Sequence, residues 1–335
     1  MYSVVRPLLF RLEAEQAHRL TLSGLNAAHR LGLLNLLPVA LPTHEPMRLM
    51  GLTFPNRVGL AAGLDKNATC VDAMGALGFG FVEVGTLTPR PQAGNPPPRV
   101  FRLPRAGAII NRMGFPNQGV EPAVARLKAR RFDGVCGVNI GKNASTPLEQ
   151  ATDDYVTALR AVYAVADYIT INISSPNTQG LRSLQGGDAL RPLLSGLLDA
   201  RSQLVASTGR RVPLVVKLAP DLSDDELAVT AEVITSLGID GVIATNTTLD
   251  RSKVQGLEHA DRPGGLSGEP LRERALEVVG KLRKLLGPGV PLIGVGGISS
   301  AAHARAMLDA GADLIQVYTG LVYRGPALVR ELAAV

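Results

Sequence analysis

Two lysines stand where short apolar runs give way to polar residues: Lys66 in AAGLDKN and Lys217 in PLVVKLAPDL. The ends of other apolar runs carry uncharged donors and acceptors. These are Thr86; Asn139; Asn172, Ser174, Ser175 and Asn177; Thr245, Asn246 and Thr247; and Tyr318 and Thr319. Two cations among neutral amides and hydroxyls suit a polar, planar ligand held by directional hydrogen bonds, with negative charge on it stabilised. Lys217 lies inside the run VVKLA, where burial without a polar or anionic partner is costly. It can neutralise a ligand's charge or form a Schiff base, although a lysine ending a strand can also be merely solvated or ion-paired. Ser175 taken alone is an inert hydroxyl, since no base accompanies it.

Other chemistries lack their residues. His18, His29 and His44 fall in the first 47 residues, His259 in a polar connection and His303 in a helical pattern, so no histidine ends an apolar run. No carboxylate pair converges there beyond Asp65 and Glu83, and the side that Glu83 faces is ambiguous. Metal-dependent hydrolysis, a Ser-His-Asp triad and two-carboxylate glycosidase chemistry are therefore disfavoured, and no metal site is expected. Near the C-terminus, VGGIS (295–299) opens a helical pattern from Ser300, and YTGLVYRG (318–325) is a second glycine-containing loop. Both offer unhindered backbone N–H groups at a helix start, a phosphate-binding arrangement, although Gly296 and Gly297 can also serve only a tight turn.

The elements that must position these residues are regular. Eight apolar runs, 58–63, 81–86, 134–141, 168–174, 213–218, 241–246, 291–296 and 314–318, alternate with helical patterns. Runs apolar on both faces, such as PLVVKL and LIQVY, suit parallel strands covered on both sides. Leu271, Ala275, Val278, Val279, Leu282, Leu285 and Leu286 trace one helical face, and Ser223 with Glu226 reads as a capping box. The expected fold is an α/β (β/α)8 TIM barrel, with a doubly wound sheet as the lesser alternative. In such barrels the working residues lie at the C-terminal ends of strands, and phosphate commonly binds after strands seven and eight.

Three stretches interrupt the alternation. Residues 87–117 hold seven prolines and two apolar runs, 99–103 and 108–113, which predicts a hairpin over the barrel mouth. Residues 247–270 form a polar, Gly-rich connection, either part of the binding surface or a solvated insertion. Residues 1–47 form a separate N-terminal helical extension before the barrel of 48–335. Val4, Val5, Leu8, Leu9 and Leu12 share one face, Leu22, Leu25, Ala28 and Leu31 another, and Arg6, Arg11, Arg19 and Arg30 lie elsewhere. Such a pair of amphipathic helices either lies in a membrane interface or packs on the barrel.

Composition sets the outer limits. A chain of 335 residues, 46% hydrophobic and 19% charged, builds a large core. The net charge of +6 permits an anionic partner, whether nucleic acid, lipid or small molecule. Cys70 and Cys136 form no framework or zinc motif, which suggests a reducing compartment. The uncharged stretch 31–43 is too short to span a bilayer, and charges interrupt any signal peptide.

Longer strings carry a resemblance: AAGLDKN (61–67), EVGTLTPRPQAGNPPPR (83–99), NRMGFPN (111–117), NISSPNTQGLR (172–182), KLAPDL (217–222), NTT (246–248), GGLSG (264–268) and GVGGI (294–298). In this order they resemble the dihydroorotate dehydrogenases, and specifically the quinone-dependent class 2, over essentially the whole chain. The resemblance implies FMN at the barrel mouth, contacted by Ala62, Gly63, Lys66, Thr86, Asn139, Asn172, Lys217, Thr245, Gly268, Gly297, Tyr318 and Thr319. It implies dihydroorotate held by Lys66, Asn111, Asn172, Asn177, Asn246 and Thr247. One wall would be formed by Asn111, Arg112, Met113, Gly114 and Phe115. Ser175 would be the base, where class 1 relatives use cysteine, and Thr178 is expected in a proton relay. The resemblance further implies a membrane quinone as final acceptor, reached through residues 1–47, on the cytoplasmic side of the inner membrane. A monomer is expected. The alternatives are a flavin-dependent dihydrouridine synthase acting on tRNA and a Schiff-base lyase using Lys217. No basic, aromatic-interleaved patch supports a nucleic-acid partner, and five arginines against three glutamates in residues 1–50 suit an anionic membrane surface instead.

Overall fold

A computed structural model describes residues 2–36 and 46–335. Two helices come first, α1 (Tyr2–Arg11) and α2 (Ala14–Arg30). Most of the expected Pro-containing link, residues 37–45, lies outside the described residues. A hairpin follows, β1 (Met47–Leu49) and β2 (Leu52–Phe54), turning on Met50 and Gly51, both at positive φ as a two-residue hairpin of this hand requires. Met47 already belongs to β1, so the strand straddles the expected domain boundary.

The remaining strands in chain order are β3 (Val58–Leu60), β4 (Phe81–Leu87), β5 (Val100–Leu103), β6 (Ala108–Asn111), β7 (Val135–Ile140), β8 (Tyr168–Asn172), β9 (Leu214–Leu218), β10 (Gly241–Ala244), β11 (Gly265–Gly268), β12 (Leu292–Val295) and β13 (Leu314–Val317). Eight of them close in the order β3-β4-β7-β8-β9-β10-β12-β13, all pairs parallel, and they are the eight expected runs. Covering helices are α3 (Val71–Gly75), α4 (Val120–Lys128), α5 (Ala151–Val162), α6 (Gly187–Thr208), α7 (Asp224–Ser236), α8 (Arg272–Leu286) and α9 (Ala301–Asp309). After β13 come α10 (Thr319–Arg324) and α11 (Ala327–Ala333). This is the TIM barrel read from the sequence. The capping box of α7 is present, with Ser223 N–H donating to Glu226 at 2.8 Å and Glu226 N–H to Ser223 Oγ at 3.2 Å. Of the expected α8 face only Leu285 turns out to solvent.

Strand alternation sorts the residues into two cores. Val82, Val84, Ile169, Ile171, Val216 and Leu218 face the helices. Phe81, Val135, Tyr168, Val215, Ile243, Ile293 and Leu314 fill the barrel, and Phe54 seals its N-terminal end with Met47, Leu49, Met50 and Leu52 packed around it. The aromatic rings occupy space that small neighbours vacate: a Cβ on Gly59 would lie 2.2 Å from the Phe81 ring, and one on Gly137 would lie 2.1 Å from Tyr168. The β1–β2 stopper is not expected from the sequence, because its strands are only three residues long.

Over the mouth, β5 and β6 form the predicted hairpin, and β11 pairs with β6 to make a three-stranded sheet. The connection 247–270 is therefore no mere solvated insertion. Val254, Ala260 and Leu266 pack with Phe101, Leu103 and Ile110 in a small core of their own.

Candidate active site

One cavity of about 660 Å³ lies between the C-terminal strand ends, the three-stranded sheet and the two N-terminal helices. On the barrel side it is lined by Ala62, Gly63, Lys66, Thr86, Asn172, Ser175, Asn177, Lys217, Thr245, Asn246, Thr247, Gly268, Gly297, Tyr318 and Thr319. Asn111, Met113, Gly114 and Phe115 form one wall. Of the cofactor and substrate contacts that the resemblance implies, two do not line it. Arg112 turns its guanidinium to the Pro98 carbonyl, with Nη2 at 2.9 Å. Asn139 is fully buried one layer below, where Glu83, Thr86 and Asn172 use up its amide.

The floor is a chain of fixed amides. Asn139 Nδ2 donates to Glu83 Oε1 at 2.8 Å, which turns Asn139 Oδ1 toward the cavity. That oxygen accepts from Thr86 Oγ1 at 2.6 Å and from Asn172 Nδ2 at 3.1 Å. Asn172 Oδ1 accepts from Ser174 Oγ, and Ser174 Oγ accepts from Asn246 Nδ2, both at 2.9 Å. Every side chain in this series has its rotamer set by the next, as a preorganised site requires. Glu83, ambiguous in the sequence, faces inward.

Lys217 is buried on β9, beside Asn172 in register, and its ammonium makes no protein hydrogen bond among the described residues. Burial pulls its ammonium below the ordinary lysine range, and the Glu83 charge opposes the fall. Lys66 is presented by a loop wound around the buried Asp65 carboxylate, which accepts from the N–H groups of Thr69 at 2.9 Å and Cys70 at 2.6 Å. Burial lowers Lys66 to about 8, with Glu15 opposing and Arg99 assisting.

Ser175 is buried, and its Oγ accepts from Asn177 N–H at 3.2 Å. Thr178 Oγ1 is buried without a partner. Asn177 Nδ2 donates to Asn111 Oδ1 at 3.2 Å, tying the loop after β8 to the hairpin over the mouth.

At the far side, Gly268, Gly297 and Gly320 come together, and a recess of about 190 Å³ continues from them past Arg6 and Arg324. Side chains are excluded there: a Cβ on Gly297 would lie 2.4 Å from Arg272, and one on Gly320 would lie 2.1 Å from the Ile298 carbonyl. Ser300 caps α9 by accepting from His303 N–H at 3.2 Å. Glycine backbone at the starts of α9 and α10 is what a phosphate group needs. Together with the free Lys217 ammonium and the unpartnered buried Gln316 Oε1, it fits a phosphorylated, planar, hydrogen-bonding cofactor such as a flavin nucleotide.

The opposite half of the cavity is made by the N-terminal helices. Leu9, Phe10, Ala17, Leu22 and Leu25 line it, with Tyr2, Glu15, His18, Thr21 and Arg102 as polar exceptions. Burial, assisted by the Lys66 and then the Arg19 charges, lowers His18 to about 3 and keeps it neutral. Arg102 donates to the Leu9 carbonyl at 3.1 Å and lies 4.7 Å over the Phe10 ring. His18, Arg102 and Gln316 carry no signal in the sequence, because helix docking and barrel closure, not spacing, bring them here. The outer faces of the same helices are bare. Val4, Leu8 and Leu31 are 73%, 60% and 74% exposed, so α1 does not bury its apolar face on the barrel. No helix among the described residues is long and apolar enough to cross a membrane.

A family model described as dihydroorotate dehydrogenase matches residues 46–334. Over 333 residues the chain is 55% identical to a protein of Methylococcus capsulatus named dihydroorotate dehydrogenase (quinone), covering 99% of this chain and 98% of that one. A protein of the same name from Azotobacter vinelandii is 56% identical over 331 residues, covering 99% and 95%. Among solved structures, that of DHODH from Eimeria tenella in complex with ferulenol superposes with a TM-score of 0.87 at 39% identity, covering 96% of this chain and 89% of that one. These relatives are matched along nearly the whole length of this chain and of their own. The chain belongs to the dihydroorotate dehydrogenase family.

Proposed function

We propose that this chain oxidises dihydroorotate to orotate in pyrimidine synthesis and passes the electrons to a quinone. The observation that carries this reading is one continuous cavity with a cation-bearing, amide-lined half in the barrel and an apolar half between two helices with exposed outer faces. A planar anion suits the first half and a lipid-soluble acceptor the second. When bound, the flavin supplies the two-electron exchange between them.

FMN is the flavin that the glycine cradle fits, since one phosphate suffices to engage Gly268, Gly297 and Gly320. Ala62, Gly63, Thr86, Thr245, Tyr318 and Thr319 line the rest of its place, with Lys217 offering a positive charge. Lys66, Asn111, Asn172, Asn177, Asn246 and Thr247 hold dihydroorotate, and Met113, Gly114 and Phe115 wall it in. Asn139 supports both from below. Ser175 takes the proton from C5 of dihydroorotate. A serine hydroxyl is a weak base, so the proton must leave through a relay, for which the unpartnered Thr178 hydroxyl is placed three residues on. Exclusion of water by the buried loop around residues 174–178 strengthens these contacts.

The bare apolar faces of α1 and α2 and the arginines of the N-terminal extension rest on an anionic membrane surface, on the cytoplasmic side of the inner membrane, so that quinone enters between α1 and α2. The chain acts as a monomer there. The reading is tested by one spectrum: the purified protein is yellow, and anaerobic dihydroorotate bleaches it. A colourless protein, or a yellow one untouched by dihydroorotate, contradicts it.

A further inference from the structure

Below the floor of the cavity the barrel interior holds a carboxylate that the reaction does not use. Glu83 on β4 is fully buried, and donors from three other strands converge on it. Asn139 Nδ2 of β7 donates to Oε1 at 2.8 Å. Tyr168 OH of β8 and Gln316 Nε2 of β13 donate to Oε2 at 2.8 and 2.9 Å. All three partners donate, which is what the acceptor oxygens of a carboxylate require. Gln316 confirms the polarity, because its amide nitrogen serves Glu83 and its Oε1 is left buried without a partner.

Two consequences reach the cavity. Asn139 cannot flip without losing Glu83, so its oxygen faces Thr86 and Asn172, and the direction of every hydrogen bond along the floor follows from that choice. Lys217 also lines the cavity, and its ammonium has no protein hydrogen-bond partner among the described residues. Facing Glu83 inside the barrel is Tyr168, on β8. Burial holds its hydroxyl well above the ordinary value, with Glu83 adding to the rise. Tyr168 is therefore neutral, which leaves Glu83 as the charge that acts on Lys217.

We propose that Glu83 is a positioning residue for the reaction: it orients Asn139, Thr86 and Asn172 and is the fixed counter-charge to Lys217 in the flavin cavity. The proposal rests on the flavin reading above. Without Glu83, Lys217 gives up its proton at lower pH, and the cavity loses its positive charge as pH rises.

Glu83→Gln removes the charge and keeps the shape. The probe is sulfite, whose addition to the oxidised flavin of the holoenzyme creates negative charge and bleaches the absorbance. Relative to wild type, sulfite affinity in Glu83→Gln falls off with rising pH, approaching about tenfold per pH unit once Lys217 has titrated. Glu83→Asp restores part of the wild-type profile. A Glu83→Gln profile superimposable on wild type overturns the proposal. Should Glu83→Gln not fold with flavin, nitrogen NMR of the wild-type holoenzyme, with Lys217→Met to assign the signal, decides instead. A cationic Lys217 at neutral pH is expected, and a neutral amine overturns the proposal. A wild-type protein that never binds flavin overturns the functional reading itself, whereas a yellow Glu83→Gln enzyme with an unchanged profile overturns this inference alone.

Discussion

The two halves of the cavity are built in opposite ways. In the barrel half, strand residues whose backbones pair on both sides carry the polar groups, and each side chain is fixed by its neighbour from Glu83 up to Asn246. In the helical half, α1 has no buried residue, and α2 buries only Ala17 fully, with Leu22, Leu25 and Ala28 partly buried against the barrel core. Discrete polar tethers hold these helices down. Tyr2 OH donates to the Val322 carbonyl at 2.5 Å, Arg6 Nη1 to Tyr323 at 2.9 Å, and Asn26 Nδ2 to Thr69 at 2.8 Å. Glu15 accepts from Nε and Nη2 of Arg99, both at 2.9 Å. The barrel half draws its geometry from the core and resists change. The helical half depends on a few contacts and opens at far lower cost, which suits a side where a large apolar ligand enters and leaves.

Changes to the helical half should therefore spare the flavin, and changes to the barrel half should strike the chemistry. Deleting residues 1–40 is expected to have the largest effect: the flavin spectrum persists while quinone reduction is abolished, measured with a short-chain quinone. Undiminished turnover would refute the division of the cavity. Ser175→Ala comes next. It should keep flavin bound and slow flavin reduction by dihydroorotate about 10²- to 10⁴-fold in stopped flow; an unchanged rate removes Ser175 from the reaction.

The third prediction concerns pH. Lys66, lowered to about 8 by burial, is cationic below that pH and neutral above it. Affinity of the free enzyme for the dihydroorotate anion should be flat below and fall above it, approaching about tenfold per pH unit. Lys66→Met should flatten the profile, and a wild-type profile level past pH 9 would separate Lys66 from the anion. The smallest effect crosses the two halves. The Arg99 that Glu15 grips also holds the carbonyls of Ala93 at 2.6 Å and Asn95 at 2.8 Å, and Asn95 Nδ2 donates to Arg112 and Asn177 carbonyls. Both partners of the ion pair are mostly buried, so Glu15→Gln should lower unfolding free energy by about 1–3 kcal/mol. It should also raise KM for dihydroorotate severalfold with kcat nearly unchanged; an effect on kcat alone would mean that the tether does not reach the substrate wall.

The same contrast decides what could be read from the chain itself. The eight barrel strands are legible because burial on both faces leaves continuous apolar runs, and Lys66, Ser175 and Lys217 are legible because strand ends are where a barrel works. GLSG at 265–268 becomes a strand only because β6 offers it an open edge, so its composition reads as loop. His18 sits on a helix whose docking no periodicity reports. Glu83 could be read as polar but not as inward, since FVEVGTL is buried throughout and alternation leaves no exposed face to set the phase.

The account stands most directly on the path of the electrons. Enzyme reduced anaerobically by dihydroorotate is mixed in turn with a quinone, fumarate and NAD, and the return of flavin absorbance is followed. Rapid reoxidation by the quinone alone is the predicted result. Reoxidation by fumarate or NAD at a comparable rate, or none by the quinone, would contradict it.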